Sequence, residues 1–287
     1  MPKAPRTGGL AGPFWLFAIL SLAAVAVGCL VASANGAPAA EWARNLAAWA
    51  AGALLAGGFA RWGSRLALPG FLAAAPLALA ATFVGAGQLG VHRWLQLGPL
   101  RTNAAEVLLP ASVVAGAILR TGRSPWGLAA ALTLVLLVAQ PDASQATAFG
   151  GALIVLIASA SAGRTWRAGA ALLVVLAIVA SWLRRDPLGP VADVEGIMGL
   201  AWRLSPVAAV LAWSALGGAA LAPLMAARSA GKAARTAAVA LTAYAALAAL
   251  APLAGAFPVP LVGMGMSPVL GLWLGMGLLV GIEGRAP

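Results

Sequence analysis

Charged residues are scarce in this sequence: they make up 9% of 287 residues, whereas a soluble domain is about a quarter charged. Hydrophobic residues make up 62%, and the mean hydropathy is +0.95. These values exclude an ordinary soluble globular protein, and we predict an all-α bundle of membrane-spanning helices. No soluble domain, long linker or clear internal repeat is visible, so we treat 1–287 as a single transmembrane domain.

Cysteine and histidine each occur once, as Cys29 and His92. One cysteine cannot form an intrachain disulfide, and because the two residues are far apart in sequence we expect no metal site of the His/Cys type. No Gly-Lys-Ser or Gly-Lys-Thr follows the glycine-rich stretch 263–267, which argues against nucleotide binding. The net charge of +11 does not indicate nucleic-acid binding either, because the basic residues are scattered at the ends of apolar segments.

The apolar stretches can be divided at charges and at Pro or Gly clusters into segments of about 17–25 residues, the length that spans a bilayer, or shorter where a span is broken. Ten spans result. They are 13–33, 44–60, 66–89, 104–119, 125–140, 145–163, 168–183, 204–226, 236–255 and 267–282. The first follows Lys3 and Arg6 as a signal peptide would, but it is too long for one, and we interpret it as a retained span.

The basic residues predict an orientation with both termini in the cytoplasm. With that orientation twelve of the 18 lysines and arginines fall inside and six outside, in agreement with the positive-inside rule. The inside set is Lys3, Arg6, Arg61, Arg65, Arg120, Arg123, Arg164, Arg167, Arg228, Lys232, Arg235 and Arg285, and the outside set is Arg44, Arg93, Arg101, Arg184, Arg185 and Arg203. Every acid except Glu283 falls outside, so we expect the polar chemistry at the outer face.

Two acids lie at the boundaries of predicted spans. Asp142 follows Pro141 between the fifth and sixth spans, where it could cap the next helix or line a polar cavity. Glu106 begins the fourth span, where it could complement the positive helix N-terminus or interact with Arg93 or Arg101. Because an unpaired carboxylate at an apolar boundary is costly, we expect Arg93, Glu106 and Asp142 to converge on one outward-facing polar cavity.

Four stretches carry a resemblance to a known family. They are HRWLQLGPLRTNAAE (92–106), LLVAQPDASQA (136–146), PVPLVGMGMSPVLGLWLGMGLL (258–279) and VGCLVASAN (27–35). They resemble, respectively, the RW-I-x-LG-x-(I/F)-QPSE, LLxQPDLGTA, PLPFISYGGSSLL…LGLL and G-L-x-M-V-x-SAS motifs of the SEDS proteins (shape, elongation, division and sporulation), the family of RodA and FtsW. The stretches follow the family's order and span nearly the whole chain.

The resemblance implies a peptidoglycan glycosyltransferase of the bacterial cytoplasmic membrane. Such an enzyme polymerises the disaccharide of lipid II, an undecaprenyl-pyrophosphate-linked substrate, in cell elongation or division. The resemblance also implies a class B penicillin-binding protein or another envelope protein as partner. The cofactor is left open, with a divalent cation as the candidate. In this family the proposed catalytic aspartate lies in the fourth extracellular loop, in PE-x-HTDFIFAV-x-x-EELG.

The corresponding loop here reads RRDPLGPVADVEGIMGLAWRLSP (184–206). Five residues after Pro190 comes Glu195, whereas aligning WRLSP with EELGP gives Val194, between two acids. The resemblance therefore makes Glu195 the candidate general base and Asp193 the second candidate, since a carboxylate can take the proton of an attacking hydroxyl. The leaving pyrophosphate needs cations. We predict that the substrate is bound by Arg93, Arg101, Glu106, Asp142 and Arg203, with Arg184 and Arg185 on the same side.

Several motif positions differ from the family. QPSE has become Asn103-Ala104-Ala105-Glu106, the family's EE pair is Trp202-Arg203, and the loop from Arg184 to Arg203 has only 20 residues. A catalytically silent relative that binds a lipid-linked substrate or holds a partner in an envelope complex is therefore an alternative. A lipid flippase or transporter is a third hypothesis, which is disfavoured because transport cavities need acids near the midplane and these acids cluster at the outer boundary.

Overall fold

A computed structural model of the protein describes residues 8–62, 66–98, 100–120, 125–184, 186–228 and 231–283. Six residues that were assigned a side above lie outside the described residues: Lys3, Arg6, Arg65, Arg123, Arg185 and Arg285. The helices are α1 (Gly8–Ala34), α2 (Ala39–Trp62), α3 (Leu68–Ala81), α4 (Ala104–Leu119), α5 (Trp126–Ala139), α6 (Ala143–Ala158), α7 (Arg164–Leu183), α8 (Ile197–Leu204), α9 (Pro206–Leu221), α10 (Pro223–Ala226), α11 (Lys232–Leu250) and α12 (Met266–Glu283). The predicted all-α class is confirmed.

Four of the described helical stretches are long and apolar enough to cross a membrane: Gly12–Ala34, Arg164–Leu183, Pro206–Ala226 and Lys232–Leu253. Five shorter apolar stretches accompany them: Leu68–Val84, Ala104–Leu119, Trp126–Ala139, Ala143–Ala158 and Met266–Ile282. The remaining long helix, α2, has 24 residues and carries polar side chains at its start. Each of the ten predicted spans therefore overlaps a helix.

Some predicted boundaries were wrong, and several short elements were missed. The third helix ends at Ala81, with a 3-10 turn over Thr82–Val84, because the chain then turns through Gly85 and Gly87, the latter with φ +65°. The predicted span 204–226 is broken at Ser205, whose extended backbone ends α8 and whose hydroxyl caps α9 by accepting a hydrogen bond from the Ala208 N–H (3.0 Å). Helix α8 occupies part of what was predicted to be a loop.

The chain between α3 and α4 forms an antiparallel hairpin that the sequence analysis did not predict. Strand β1 (Trp94–Leu97) pairs with β2 (Leu100–Asn103), and Trp94 lies opposite Asn103. Gly98 has φ +61°, a left-handed conformation that glycine adopts without steric cost. The second strand leads directly into α4, so the hairpin fixes the start of that helix.

Helix α12 packs mainly against α2 and α4. A Cβ atom at Gly271 would lie 1.9 Å from the Glu106 carbonyl oxygen, and one at Gly277 would lie 2.5 Å from the Ala56 Cα, so only glycine permits these approaches. Small residues at such contacts are typical of membrane helices. The starts of α2, α4, α6 and α12 meet the hairpin and the segment 186–196 at one end of the bundle, which we call the polar end.

Candidate functional site

A polar cavity of about 410 Å³ opens at the polar end. Five of the seven predicted site residues line it: Arg93, Arg101, Glu106, Asp142 and Glu195. The other charged side chains in its wall are Glu41, Arg44 and Asp186. The residues come from the hairpin region, three helix starts and the segment after α7, so the fold brings together acids and arginines that are far apart in sequence.

Arg93 is the central cation of the cavity and is only 6% exposed. Its Nη2 donates a hydrogen bond to Asp186 Oδ2 (2.6 Å) and another to the carbonyl oxygen of Pro141, and its Nε lies 3.6 Å from Asp142 Oδ2. Burial alone would lower the pKa of the Arg93 guanidinium, but the carboxylates of Asp142 and Asp186 outweigh burial and raise it. Arg93 therefore stays charged and joins three segments of the chain.

Asp142 combines the two roles that the sequence left open. It caps α6, since its Oδ1 accepts hydrogen bonds from the Gln145 N–H (3.2 Å) and the Ser144 hydroxyl (3.0 Å). Its other oxygen faces Arg93 in the cavity wall. The cap fixes the orientation of the carboxylate, and the ion pair compensates its burial, at 2% exposure.

Glu106 lies in the first turn of α4 but does not cap it. Asn103 is the cap, because its Oδ1 accepts hydrogen bonds from the N–H groups of Ala105 (3.0 Å) and Glu106 (3.3 Å). The Asn103 N–H donates in turn to the Ser267 hydroxyl (2.9 Å), which ties the hairpin and α4 to the start of α12. Glu106 is 8% exposed and lines the cavity, where it interacts electrostatically with Arg93, Asp142 and Glu195.

Glu195 is held in the cavity wall by the local fold of its loop. Its Oε2 accepts a hydrogen bond from the Val191 N–H (2.8 Å). The loop is docked on the segment before α12, where the N–H groups of Met264 and Val259 donate to the carbonyls of Asp193 (2.9 Å) and Val194 (3.4 Å). Burial raises the pKa of the Glu195 carboxyl, the hydrogen bond from Val191 opposes the rise, and the charges of Asp186 and Asp193 add to it.

The remaining two predicted residues do not line the polar cavity. Asp193 is partly buried and lines a smaller neighbouring cavity of about 310 Å³ together with Glu41. Arg203 is exposed in the last turn of α8. The motif alignment allowed two acids, Glu195 and Asp193. Of these two, Glu195 is the one that lines the polar cavity.

Two further arginines supply positive charge that no carboxylate neutralises directly. Within the described ranges both ion pairs involve Arg93. Arg44 donates from Nε to its own helix at the Ala40 carbonyl (3.1 Å). Arg101 donates from Nη2 to Gln88 Oε1 (2.8 Å), and its guanidinium lies 4.2 Å from the centre of the Trp94 ring. Both line the cavity and can accept an anionic ligand.

The acids are not arranged as a metal site. Among the residues that the structure describes, no three His, Cys, Asp or Glu side chains are close enough to hold a metal ion. A divalent cation, the candidate cofactor, therefore finds no three-ligand set among the described side chains.

Sequence reasoning missed several polar residues of the cavity, among them Asp186, Asn45 and Arg44. Asp186 is the closest carboxylate to Arg93, and in the sequence only its position beside the basic pair Arg184-Arg185 distinguished it. Asn45 is 1% exposed and donates from Nδ2 to the Gly263 carbonyl (2.8 Å), which joins α2 to the segment before α12. In the sequence, Arg44 and Asn45 stand side by side at the start of an apolar span, and polar residues in that position are the signal that could have identified them.

The fold has known counterparts, although no family model matches the chain and no curated protein matches it in sequence. The rod shape determining protein RodA of Thermus thermophilus superposes with a TM-score of 0.69 at 20% identity, over 94% of this chain and 96% of RodA. The chain has the RodA fold. An aspartate-to-alanine mutant of that RodA gives a TM-score of 0.69 at 19% identity, with the same coverage.

A further counterpart is a chain from a peptidoglycan synthase complex, described as coordinating polymerization and crosslinking. It superposes with a TM-score of 0.66 at 21% identity, over 93% of this chain and 96% of that one. These likenesses cover nearly the whole length of each protein. The SEDS-like fold that the four sequence stretches predicted is thereby confirmed.

Proposed function

We propose that this protein is a SEDS-type glycosyltransferase that polymerises lipid II or a related undecaprenyl-pyrophosphate-linked glycan in cell elongation or division. The proposal places it in the bacterial cytoplasmic membrane as one domain of ten spans, with both termini inside and the polar end outside. The RodA fold supports the class of protein. The observation that carries the proposal is Glu195, a partly buried carboxylate in the wall of a cavity that also holds arginines.

The proposed reaction is a substitution at the anomeric carbon of a lipid-linked sugar. The oxygen of an acceptor hydroxyl attacks this carbon and forms the new glycosidic bond, while the bond from the carbon to the diphosphate oxygen breaks. Glu195 takes the hydroxyl proton as general base, and the electron pair of the broken bond leaves on the diphosphate. Arg44 and Arg101 are the cations that are free of ion pairs and suited to the diphosphate, whereas Arg93 is already engaged by two carboxylates.

The proposed partner is a class B penicillin-binding protein or another envelope protein. Support comes from the structural likeness to a chain of a peptidoglycan synthase complex. The described loops are short, so such a partner would contact helices or the polar end.

Purified protein with lipid II, alone and with a candidate transpeptidase, tests the proposal. We expect glycan polymers from the wild type, and a loss of about 10²–10⁴-fold in rate for Glu195→Gln, which keeps size and polarity but removes the base. Asp193→Asn, two residues away and outside the polar cavity, is the matched control and should be milder. No polymer from the wild type, combined with an intact partner complex in both variants, would favour the catalytically silent alternative.

A further inference from the structure

A group of cations lies at the end of the bundle opposite to the polar end, where α4 and α6 end and α7 and α11 begin. Its members are Arg120, Arg164, Arg167, Lys232 and Arg235, and we call this group the basic end. The reaction proposed above uses none of these residues.

Arg120, the residue after α4, connects the helices of the basic end. Its Nη1 donates a hydrogen bond to the Ser159 carbonyl (3.1 Å) at the end of α6, and its Nη2 donates to the Thr236 hydroxyl (3.3 Å) near the start of α11. Arg167 of α7 donates from Nη1 to the adjacent carbonyl of α6, that of Ala158 (3.1 Å). The Arg120 and Arg167 guanidinium groups therefore bind neighbouring carbonyls, and Arg120 also reaches α11.

Helices α7 and α11 begin with the same arrangement of cations. Read from the glycine before each helix, their sequences are GRTWR and GKAAR. Arg164 is thus followed three residues later by Arg167, and Lys232 three residues later by Arg235. Residues at this spacing are neighbours on the surface of a helix. The two helix starts therefore present matching cation pairs.

The arginine of each pair is held in place but keeps donors for a ligand. Arg167 uses Nη1 for the Ala158 carbonyl, and Arg235 uses Nε for the Ala227 carbonyl at the end of α10 (3.1 Å). A guanidinium has several N–H donors besides the one used in each contact, and two of them can bind one phosphate together. Because the guanidinium groups are already oriented, binding an anion costs less conformational entropy.

The charge of the two pairs is not neutralised by carboxylates of the described chain. Within the described ranges both ion pairs involve Arg93, at the polar end. Among the acids of the sequence, only Glu283 is assigned to the side on which the basic end lies. The basic end therefore attracts anions.

Exposed apolar side chains border both cation pairs. Trp166 lies between the two cations of the first pair and is 51% exposed, while Leu224 and Met225, in the helix that Arg235 contacts, are 38% and 39% exposed. In a membrane fold, exposed apolar side chains of this kind face lipid chains, and tryptophan is typical of the membrane–water interface. A ligand with an anionic head group and hydrocarbon chains fits these surroundings better than a soluble anion.

We propose that the basic end binds an anionic phospholipid with two phosphates, one phosphate at each cation pair. Two phosphates on one head group match two cation pairs that Arg120 connects, and basic clusters between helices at the cytoplasmic surface suit such head groups. The inference rests on the proposed function only for the orientation, which places the basic end at the inner leaflet. The bound lipid holds together the helix ends that meet there.

Lipid binding to the detergent-purified full-length protein tests the inference by native mass spectrometry. The probe is cardiolipin, whose head group carries two phosphates. We expect the wild type to retain one cardiolipin, to bind phosphatidylglycerol about tenfold more weakly, and to retain no phosphatidylethanolamine at the same concentration. The double variant Arg164→Gln with Lys232→Gln removes one exposed cation from each pair and should weaken cardiolipin binding about thirtyfold.

The matched control removes the same charge from the opposite end of the molecule. Arg184→Gln with Arg203→Gln replaces two exposed arginines there and should retain cardiolipin as the wild type does. Cardiolipin should also raise the unfolding temperature of the wild type and of this control, but much less that of the Arg164 and Lys232 variant. Equal unfolding temperatures of all three proteins without lipid would show that the variants fold.

Two results would overturn the inference: equal retention of cardiolipin and either of the other two lipids, or unchanged cardiolipin binding in the Arg164 and Lys232 variant. Both leave the proposed function standing, because the measurement involves no turnover. A wild type that binds cardiolipin as expected but forms no glycan polymer would instead refute the proposed function and support this inference.

Discussion

Arg93 and Asp186 are joined by a 2.6 Å contact between Nη2 and Oδ2, which connects the residue before the hairpin to the loop that carries Glu195. The same guanidinium lies 3.6 Å from Asp142, so one cation neutralises carboxylates from two separate segments. Replacing these residues should therefore lower the free energy of unfolding by different amounts. Loss of the Arg93 cation should destabilise the protein more than loss of the Asp186 carboxylate.

Arg93→Gln should destabilise the protein by about 3–5 kcal/mol, because it leaves Asp142 buried without its counter-ion. Asp186→Asn should cost about 1–3 kcal/mol, since Arg93 keeps Asp142 and the Asp186 side chain is 22% exposed. The free energy of unfolding can be measured by SDS titration of the detergent-solubilised protein, with Arg101→Gln, at an exposed position, as the control. Equal losses of unfolding free energy for Arg93→Gln and Asp186→Asn would mean that the buried Asp142 carboxylate does not need Arg93 as its counter-ion.

Gly271→Ala should separate α12 from α4. The added Cβ would lie 1.9 Å from the Glu106 carbonyl oxygen, so the helices must move apart, at a cost of about 1–3 kcal/mol. Gly217→Ala in α9 is the matched control, because a Cβ there meets nothing within 4 Å and the change should be neutral or slightly stabilising. The same SDS titration compares them, and a neutral Gly271→Ala would show that the approach of these helices is not as close as described.

Cysteine labelling should place Arg164 and Lys232 inside the cell and Arg203 outside. The reason is the excess of basic residues on the side of the chain termini. With Cys29 replaced, single cysteines at the first two positions should react with a membrane-impermeant maleimide only after permeabilisation, and one at Arg203 should react in intact cells. The same inside label is expected at Arg123, which lies outside the described residues. Labelling of the cysteine at position 164 in intact cells would contradict the prediction that the fifth and sixth spans form a pair.

Much of the fold could be predicted because hydropathy alone marks helices that lie in lipid. The convergence of Arg93, Glu106 and Asp142 on one cavity was also predictable, since a charge at an apolar boundary needs a partner or solvent. The hairpin was not, because its strands have only four residues each, too few for an alternating apolar pattern to stand out. Helix α8 was missed because its eight residues lie in a stretch compared with a family loop.

The pairing of Arg93 with Asp186 could not be predicted from the sequence alone. The two residues are 93 positions apart, and several arginines and acids on the same side were equally plausible partners. Their contact depends on the path of the segment after α7. That path is set by backbone hydrogen bonds such as those from Met264 and Val259 to the loop, which no local pattern indicates.

If Glu195 is the general base, the polymerisation rate should depend on pH through the ionisation of the Glu195 carboxyl. Burial raises the pKa of this carboxyl above the usual value of about 4.3, although the hydrogen bond from the Val191 N–H limits the rise. Only the ionised form accepts a proton, so the rate should be full above the raised pKa and be lost as the pH falls through it. The acid limb of the pH–rate profile should therefore lie above the range of an ordinary glutamate.

The neighbouring acids make this assignment specific. Asp193 adds to the raised pKa of Glu195, so Asp193→Asn should move the acid limb to lower pH while turnover persists. Glu41→Gln is the matched control, because Glu41 lines the same cavity but is not among the charges that shift the Glu195 pKa, and its acid limb should not move. Glu195→Gln should remove the limb together with about 10²–10⁴-fold of the rate. If instead Asp193→Asn abolishes turnover and Glu195→Gln retains it with an unchanged profile, the base is Asp193 and the alternative alignment of the loop is correct.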